Sequence, residues 1–180
     1  MGRSEQVVTP TVINDMALAD IAAVIKVDRV CYPDPFDEAA WLREFEAPNR
    51  CHLVAMIGGE IVGHAGSLQV VDETHVATVA VAAAHEGAGI ATRLVAELLR
   101  RGVGSGALAA TLEVRVSSMR AQRLYSRLGF VPAGVRSNYY SNPTEDALIM
   151  WLYDLQSRSA QDRLGRVVAE LDLSSSRGSR

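Results

Sequence analysis

The stretch that most constrains this 180-residue chain is a change of hydrophobic period across residues 86–91. Before it, Thr74 to Val81 alternates as a strand does. After it, Ile90, Leu94, Val95, Leu98 and Leu99 recur at helical spacing. Between them lies Glu86-Gly87-Ala88-Gly89-Ile90-Ala91. Glycines there let the backbone approach a ligand closely. The first amides of the new helix have no internal partners, and the helix dipole adds partial positive charge. Such a turn suits a pyrophosphate. On this segment alone a plain strand-to-helix turn stays open. A dinucleotide fingerprint fits less well, because Thr92 stands where the third glycine belongs. A P-loop is excluded, since no Gly-Lys-Ser/Thr follows.

The neighbouring segments decide which sheet feeds this turn. Thr9 to Asn14 reads as a first strand, with Asn14 or Asp15 capping a helix through Leu18, Ile21, Ala22 and Ile25. Pro33 and Pro35 break that helix, and Asp37 caps another carrying Trp41, Leu42 and Phe45. His52 to Ile57 and Glu60 to Val71 form a hairpin about Gly58-Gly59, with Gly63 and Gly66 as points of bulge or close approach. Asp72-Glu73 turns the chain into the third strand. Gly102, Gly104 and Gly106 end the helix after the turn. Ala109 to Val116 is a strand, with Leu112, Val114 and Val116 on one face and Thr111, Glu113 and Arg115 on the other. A helix through Ala121, Leu124, Tyr125 and Leu128 stops at Gly129, and Phe130 to Tyr140 and Ala147 to Tyr153 are the last strands. The order is mixed α/β: a meander, then helix, strand, helix and a strand pair. This defines a domain over residues 1–155. Residues 156–180 form a tail, in which Ser159 to Asp162 resembles a capping box and Leu164, Val167, Val168 and Leu171 make an apolar stripe. Ser174 to Arg180 is expected to be disordered.

Composition removes several function classes. A net charge of −3 gives no surface for nucleic acid. No apolar run reaches the ~20 residues of a membrane helix, and the polar stretch Met1 to Pro10 leads us to expect no leader peptide. Cys31 and Cys51 make no disulfide framework, which fits a reduced, cytoplasmic protein. His52, His64, His75 and His85 lack metal-ligand spacing, so no metal is expected.

Taken in order, Tyr32 to Phe36, Thr78 to Ala91, Leu112 to Ser117, Leu124 to Phe130, Asn138 to Tyr140 and Glu145 to Met150 resemble the GNAT superfamily, and within it the RimI-type ribosomal-protein-alanine N-acetyltransferases. The likeness runs from about Thr9 to about Met150. It implies the GNAT acyl-CoA N-acyltransferase fold, a central, mostly antiparallel sheet flanked by helices, with acetyl-CoA as co-substrate. It implies that the Gly87, Ala88, Gly89, Ile90 and Ala91 turn holds the pyrophosphate, and that the backbone of Val79, Ala80 and Val81 pairs with the pantetheine arm. Two positions depart from the pattern. Glu86 replaces a Gln or Arg, which is mildly repulsive to phosphates. Ser118 replaces an Asn that contacts the cofactor and has shorter reach.

The resemblance also assigns chemistry. Glu113 matches the family's general base and Tyr125 its general acid. A free carboxylate is a weak base for an ammonium group, so this reading needs partial burial or a relaying water. The competing readings are a surface Glu113 paired with Arg115, and a Tyr125 that is merely core. Tyr32, Asp34 and Phe36 would line an acceptor loop stiffened by prolines, with Tyr139 and Tyr140 on the other side. Asp34, Asp37, Glu38, Glu44 and Glu46 make that loop region acidic, which suits a basic peptide N-terminus. The expected partner is a protein N-terminal amine, the N-terminal alanine of a small-subunit ribosomal protein. A small-molecule amine and a weakly catalytic acyl-CoA-binding module remain as alternatives.

Overall fold

The alternating and helical periods become seven strands and five α-helices among residues 9–177, the part of the chain that the computed structural model describes. In chain order these are β1 (Val12–Asp15), α1 (Ile21–Cys31), α2 (Glu38–Glu46), β2 (Arg50–Ile57), β3 (Glu60–Val70), β4 (Glu73–Val81), α3 (Ile90–Gly104), β5 (Ala109–Arg115), α4 (Met119–Leu128), β6 (Val131–Tyr140), β7 (Glu145–Leu152) and α5 (Arg158–Arg177). The fold is mixed α/β. One sheet has the order β1-β2-β3-β4-β5-β7-β6, antiparallel throughout except for the β4–β5 pair.

Strand alternation splits the core in two. Leu53 faces a large cluster with α3, while its neighbour Val54 faces a smaller one with Val24, Ile25 and Trp41. The apolar stripe of α3 supplies Leu94, Val95, Leu98 and Leu99, all with no exposed surface. At ~1.5–3 kcal/mol per buried side chain, that stripe contributes roughly 6–12 kcal/mol. It therefore fixes α3, and the turn before it, firmly against β2, β3 and β4. Helix α1 covers β3 and β4, and α2 packs on α1 and β2.

The most consequential feature is where pairing stops. Strands β4 and β5 are joined only at Glu73, Thr74 and His75 against Ala109, Ala110 and Thr111. Beyond His75 they part, while β5 continues along β7 as far as Arg115. Parallel strands that separate leave backbone groups of β4 open to another partner.

Several local expectations are corrected. Asn14 and Asp15 stay in β1, opposite Val54 and Leu53, because sheet pairing outweighs capping. Asp20 instead accepts from the Ala17 amide at 2.8 Å. The turn before β4 is Val71-Asp72, one residue earlier than expected, with Val71 at φ 53°. Gly102 lies inside α3 rather than ending it, and packs closely on β4: a Cβ there would stand 2.8 Å from Thr74 Cγ2. Ser157, not Ser159, caps α5, its Oγ accepting from the Ala160 amide at 3.2 Å. That helix continues through Arg177, where disorder was expected, and packs on α3 and α4. Met1 to Val8 and Gly178 to Arg180 lie outside the described residues. No helix among those described is long and apolar enough to cross a membrane.

Candidate active site

The parting of β4 and β5 opens a cleft of about 700 Å³. At one end is the glycine turn. Gly87 and Gly89 have φ of 83° and 77°, and Gly89 is the N-cap of α3. No side chain caps that helix, so its first amides remain available to a ligand. Gly87, Gly89, Ile90 and Ala91 all line the cleft, and Ser118 enters it from the start of α4. Ser118 occupies the N-cap of α4, and its side chain makes no capping hydrogen bond to that helix.

Charge at this end comes from residues that the motif reading missed. Arg120, Arg123 and Arg127 recur along α4 and all line the cleft. Their i, i+3, i+7 spacing was the available signal. The departure at Glu86 is compensated locally, because Arg120 Nη1 meets its carboxylate at 2.5 Å. Arg127 pairs with Glu170 at 2.7 Å, and Arg93 with Asp172 at 2.7 Å. Both acids belong to α5. Leu171, between them, lines the cleft and touches the turn: a Cβ on Gly89 would stand 2.6 Å from Leu171 Cδ2.

Along the middle of the cleft runs the part of β4 that stays paired with β3 but has parted from β5, and its Val79, Ala80 and Val81 line the cleft. Here α1 intrudes. Tyr32 donates its O–H to the Val79 carbonyl at 3.0 Å, and the Cys31 thiol donates to the Val81 carbonyl at 3.4 Å. Tyr32, read as an acceptor-loop residue, thus stands inside the cleft beside the strand backbone. Burial raises the Tyr32 phenol and the Cys31 thiol above their ordinary pKa values. Both are therefore neutral donors near neutral pH.

Tyr125 closes the far end. It is 9% exposed, stacks edge-on against Phe130, and its phenol is pushed up to about 12 by burial and by the nearby Tyr140. Glu113 does not line this cleft. Its carboxylate lies on the other face of β5 from Leu112, flanked by His75 Nε2 at 3.2 Å and Arg136 Nη1 at 3.2 Å. The competing pair Glu113–Arg115 is not formed, because Arg115 binds Glu145 at 3.1 Å and lies over the Tyr140 ring. Tyr140 ties the two regions together by donating to the Glu113 carbonyl at 3.1 Å.

The α1–α2 loop, expected to line the acceptor site, is held by contacts at Asp34 and Phe36. Asp34 accepts from Asn142 Nδ2 at 2.6 Å, which joins the α1–α2 loop to the β6–β7 turn. Phe36 sits edge-on to Trp41. Trp41 donates Nε1–H to Asp28 at 2.8 Å, whose other oxygen meets His64 Nε2 at 2.6 Å. Asp28, His64 and Trp41 are all almost fully buried. Tyr139 is exposed and lies beneath the Arg136 guanidinium.

A sheet that splits beside an amide-lined turn is the architecture of an acyltransferase of the GNAT type. The chain belongs to the Acetyltransferase (GNAT) family, whose model matches residues 21–130. It is 33% identical over 147 residues to the N-alpha-acetyltransferase RimI of Mycobacterium tuberculosis, covering 78% of this chain and 91% of that protein. The crystal structure of the ribosomal-protein-S18-alanine N-acetyltransferase from Escherichia coli superposes with a TM-score of 0.74 at 26% identity, covering 81% of this chain and 94% of that one. The same fold, at 18% identity and a TM-score of 0.69, occurs in the crystal structure of the NatC complex bound to Gag peptide and CoA, with 79% of this chain and 98% of that chain covered. This chain is accordingly an N-acetyltransferase of the GNAT type.

Proposed function

We propose that this enzyme acetylates the N-terminal alanine of a small-subunit ribosomal protein, in the cytoplasm, using acetyl-CoA. The substrate class rests on the relative named for ribosomal protein S18. The observation that supports the reading best is the cleft itself, which runs from the open amides of the Gly87–Ala91 turn, along the edge of β4 that β5 leaves free, to the Tyr125 phenol. The coenzyme fits it. The turn amides and Arg120, Arg123 and Arg127 would hold the phosphates, and Val79 and Val81 would exchange their bonds to Tyr32 and Cys31 for the pantetheine amides.

Acetyl-CoA supplies an acyl thioester, and the chain's own groups do the rest. Glu113 takes a proton from the acceptor ammonium, directly or through a water. The freed amine attacks the carbonyl carbon, a C–N bond forms, the C–S bond breaks, and the nitrogen gives up its second proton to solvent as the amide forms. Tyr125 faces the departing sulfur. A phenol near 12 would have to climb about 3.5 units to protonate a thiolate near 8.5, roughly 5 kcal/mol. Tyr125 therefore stabilises the sulfur by donating a hydrogen bond as charge develops, and solvent completes the protonation. Cys31 lines the cleft, but its raised, hydrogen-bonded thiol is a poor nucleophile, which favours direct transfer without an acyl-enzyme.

Incubation with acetyl-CoA and alanine-starting peptides, followed by mass spectrometry, tests the proposal. One added acetyl group on the α-amine is the expected result. Acetylation of small amines with none on any peptide would overturn the substrate reading.

A further inference from the structure

The Glu113 carboxylate is held at both oxygens. Oε2 meets His75 Nε2 and Oε1 meets Arg136 Nη1, each at 3.2 Å. The three side chains come from three different strands, β4, β5 and β6. They also differ in exposure: Glu113 is 11% exposed, His75 28% and Arg136 54%. The carboxylate is thus the most buried of the three groups.

We propose that His75 and Arg136 are positioning residues that fix the Glu113 carboxylate for proton transfer. The inference rests on the reading of Glu113 as the general base. An ionised carboxylate offers about four acceptor sites. The flanking nitrogens approach one oxygen each, at 3.2 Å, so acceptor sites stay open for the acceptor amine or a relaying water. A glutamate has three rotatable side-chain bonds, and without fixed partners it would spend much of its time away from the amine. Small misplacement of a reacting group is costly in rate. Two close ion-pair partners from different strands restrict that freedom without closing the base to substrate.

Other parts of the structure support His75 as a fixed point. It lies in the last β4–β5 pair before the strands part, opposite Thr111. Its backbone also pairs with Leu68 of β3. Arg136 lies on β6 beside the register shift that precedes Tyr140, with its guanidinium over Tyr139. His75 is therefore the rigid partner and Arg136 the adjustable one.

The test is a set of steady-state assays with acetyl-CoA and an alanine-starting peptide on wild type, His75→Ala, His75→Gln, Arg136→Ala, Glu113→Gln and His75→Ala/Glu113→Gln. Thermal melts confirm folding. His75→Ala should lower kcat at least tenfold, with KM for acetyl-CoA changed less than twofold. His75→Gln keeps an N–H donor and should recover most of the loss. Added imidazole should partly rescue His75→Ala and should not affect Glu113→Gln. Arg136→Ala should cost about threefold to tenfold. The double variant should be no slower than Glu113→Gln alone, because His75 acts only through that carboxylate. An equal loss from His75→Ala in the Glu113→Gln background, or a wild-type rate for His75→Ala, overturns the inference. A wild-type rate for Glu113→Gln also overturns it, by removing the group it acts through, while leaving acetyl transfer itself established. Absence of acetylation by wild type would instead overturn the proposed function.

Discussion

Substituting Gly89 by Ala tests the contact between α5 and the glycine turn. Gly89 is left-handed, with φ 77° and ψ 7°. A non-glycine residue there costs ~1–2 kcal/mol in backbone strain. The new methyl would also stand 2.6 Å from Leu171 Cδ2, 3.1 Å from Cδ1 and 3.3 Å from Cγ. Overpacking of this kind costs about 1–3 kcal/mol. The low end applies, because the tip of a leucine can move. Gly89→Ala should therefore lose about 2–4 kcal/mol. Leu171 is half-buried, so Leu171→Ala alone should lose about 1 kcal/mol. In the double variant the overlap is gone and only the backbone strain and the lost burial remain, about 2–3 kcal/mol. The sum of the single losses would be about 3–5 kcal/mol, so the pair should show about 1–2 kcal/mol of favourable coupling. Urea unfolding of the four proteins measures it directly. Independent sites add to within about 0.5 kcal/mol. Additivity at that level would show that Leu171 does not rest on the turn, and that α5 has no bearing on the phosphate cradle.

Tyr125→Phe should lower kcat about tenfold to a hundredfold while changing the Kd for coenzyme A less than threefold, by calorimetry. Because its phenol is raised to about 12, Tyr125 stabilises the fold fully below pH 10 and loses that contribution as pH rises towards 12. Two units correspond to about 3 kcal/mol, most of it lost by pH 12, so the unfolding free energy of Tyr125→Phe should fall by about 2 kcal/mol less than that of wild type between pH 9 and 12. Trp41→Phe removes the donor to Asp28 Oδ2 and should cost about 1–3 kcal/mol in unfolding free energy. It should also raise KM for the peptide more than KM for acetyl-CoA, since Phe36 of the acceptor loop rests on Trp41. Glu86→Gln should tighten coenzyme A binding about twofold to fivefold at low salt, and the gain should vanish near 0.5 M salt; weaker binding would refute the compensation by Arg120.

What could be read from the sequence was local. The Gly58-Gly59 hairpin, the Asp37 cap (its Oδ1 accepts from the Ala40 amide at 2.7 Å) and the period change at residues 86–91 each depend on a few neighbouring residues. Even Gly66 was legible as a crowded position, since a Cβ there would stand 2.9 Å from both His52 Nδ1 and Thr78 Oγ1. Features that depend on competition or on distant pairing were not legible. Asn14 and Asp15 are good capping residues, yet β2 claims them for the sheet. Ser157 and Ser159 are equally good caps until Leu155, fully buried, fixes where α5 begins. The partners of Glu113 come from β4 and β6, and nothing along β5 could favour them over Arg115, two residues away. Arg115 was drawn off by Glu145 across the β5–β7 ladder, a choice made by strand register.

The end of the cleft proposed to hold the phosphates shows how a departure from a motif can be absorbed. Glu86 replaces a residue that would have added a donor or a positive charge, and Ala88 adds none. Taken alone, those changes predict weak binding. The fold sets Arg120, Arg123 and Arg127 of α4 along the same end of the cleft, so positive charge is supplied by a neighbouring helix instead of the turn. Two of these arginines, with Arg93, are held by Glu86, Glu170 and Asp172. At least one group in each pair is 43% or more exposed, so each contributes at most about 1 kcal/mol and exchanges readily for a phosphate with its higher charge. The carboxylates therefore keep the guanidiniums oriented at little cost in affinity. What cannot be supplied from elsewhere is the backbone of Gly87 and Gly89. Side-chain charge can move from one helix to another, but amides that point into the cleft require those two residues to be left-handed.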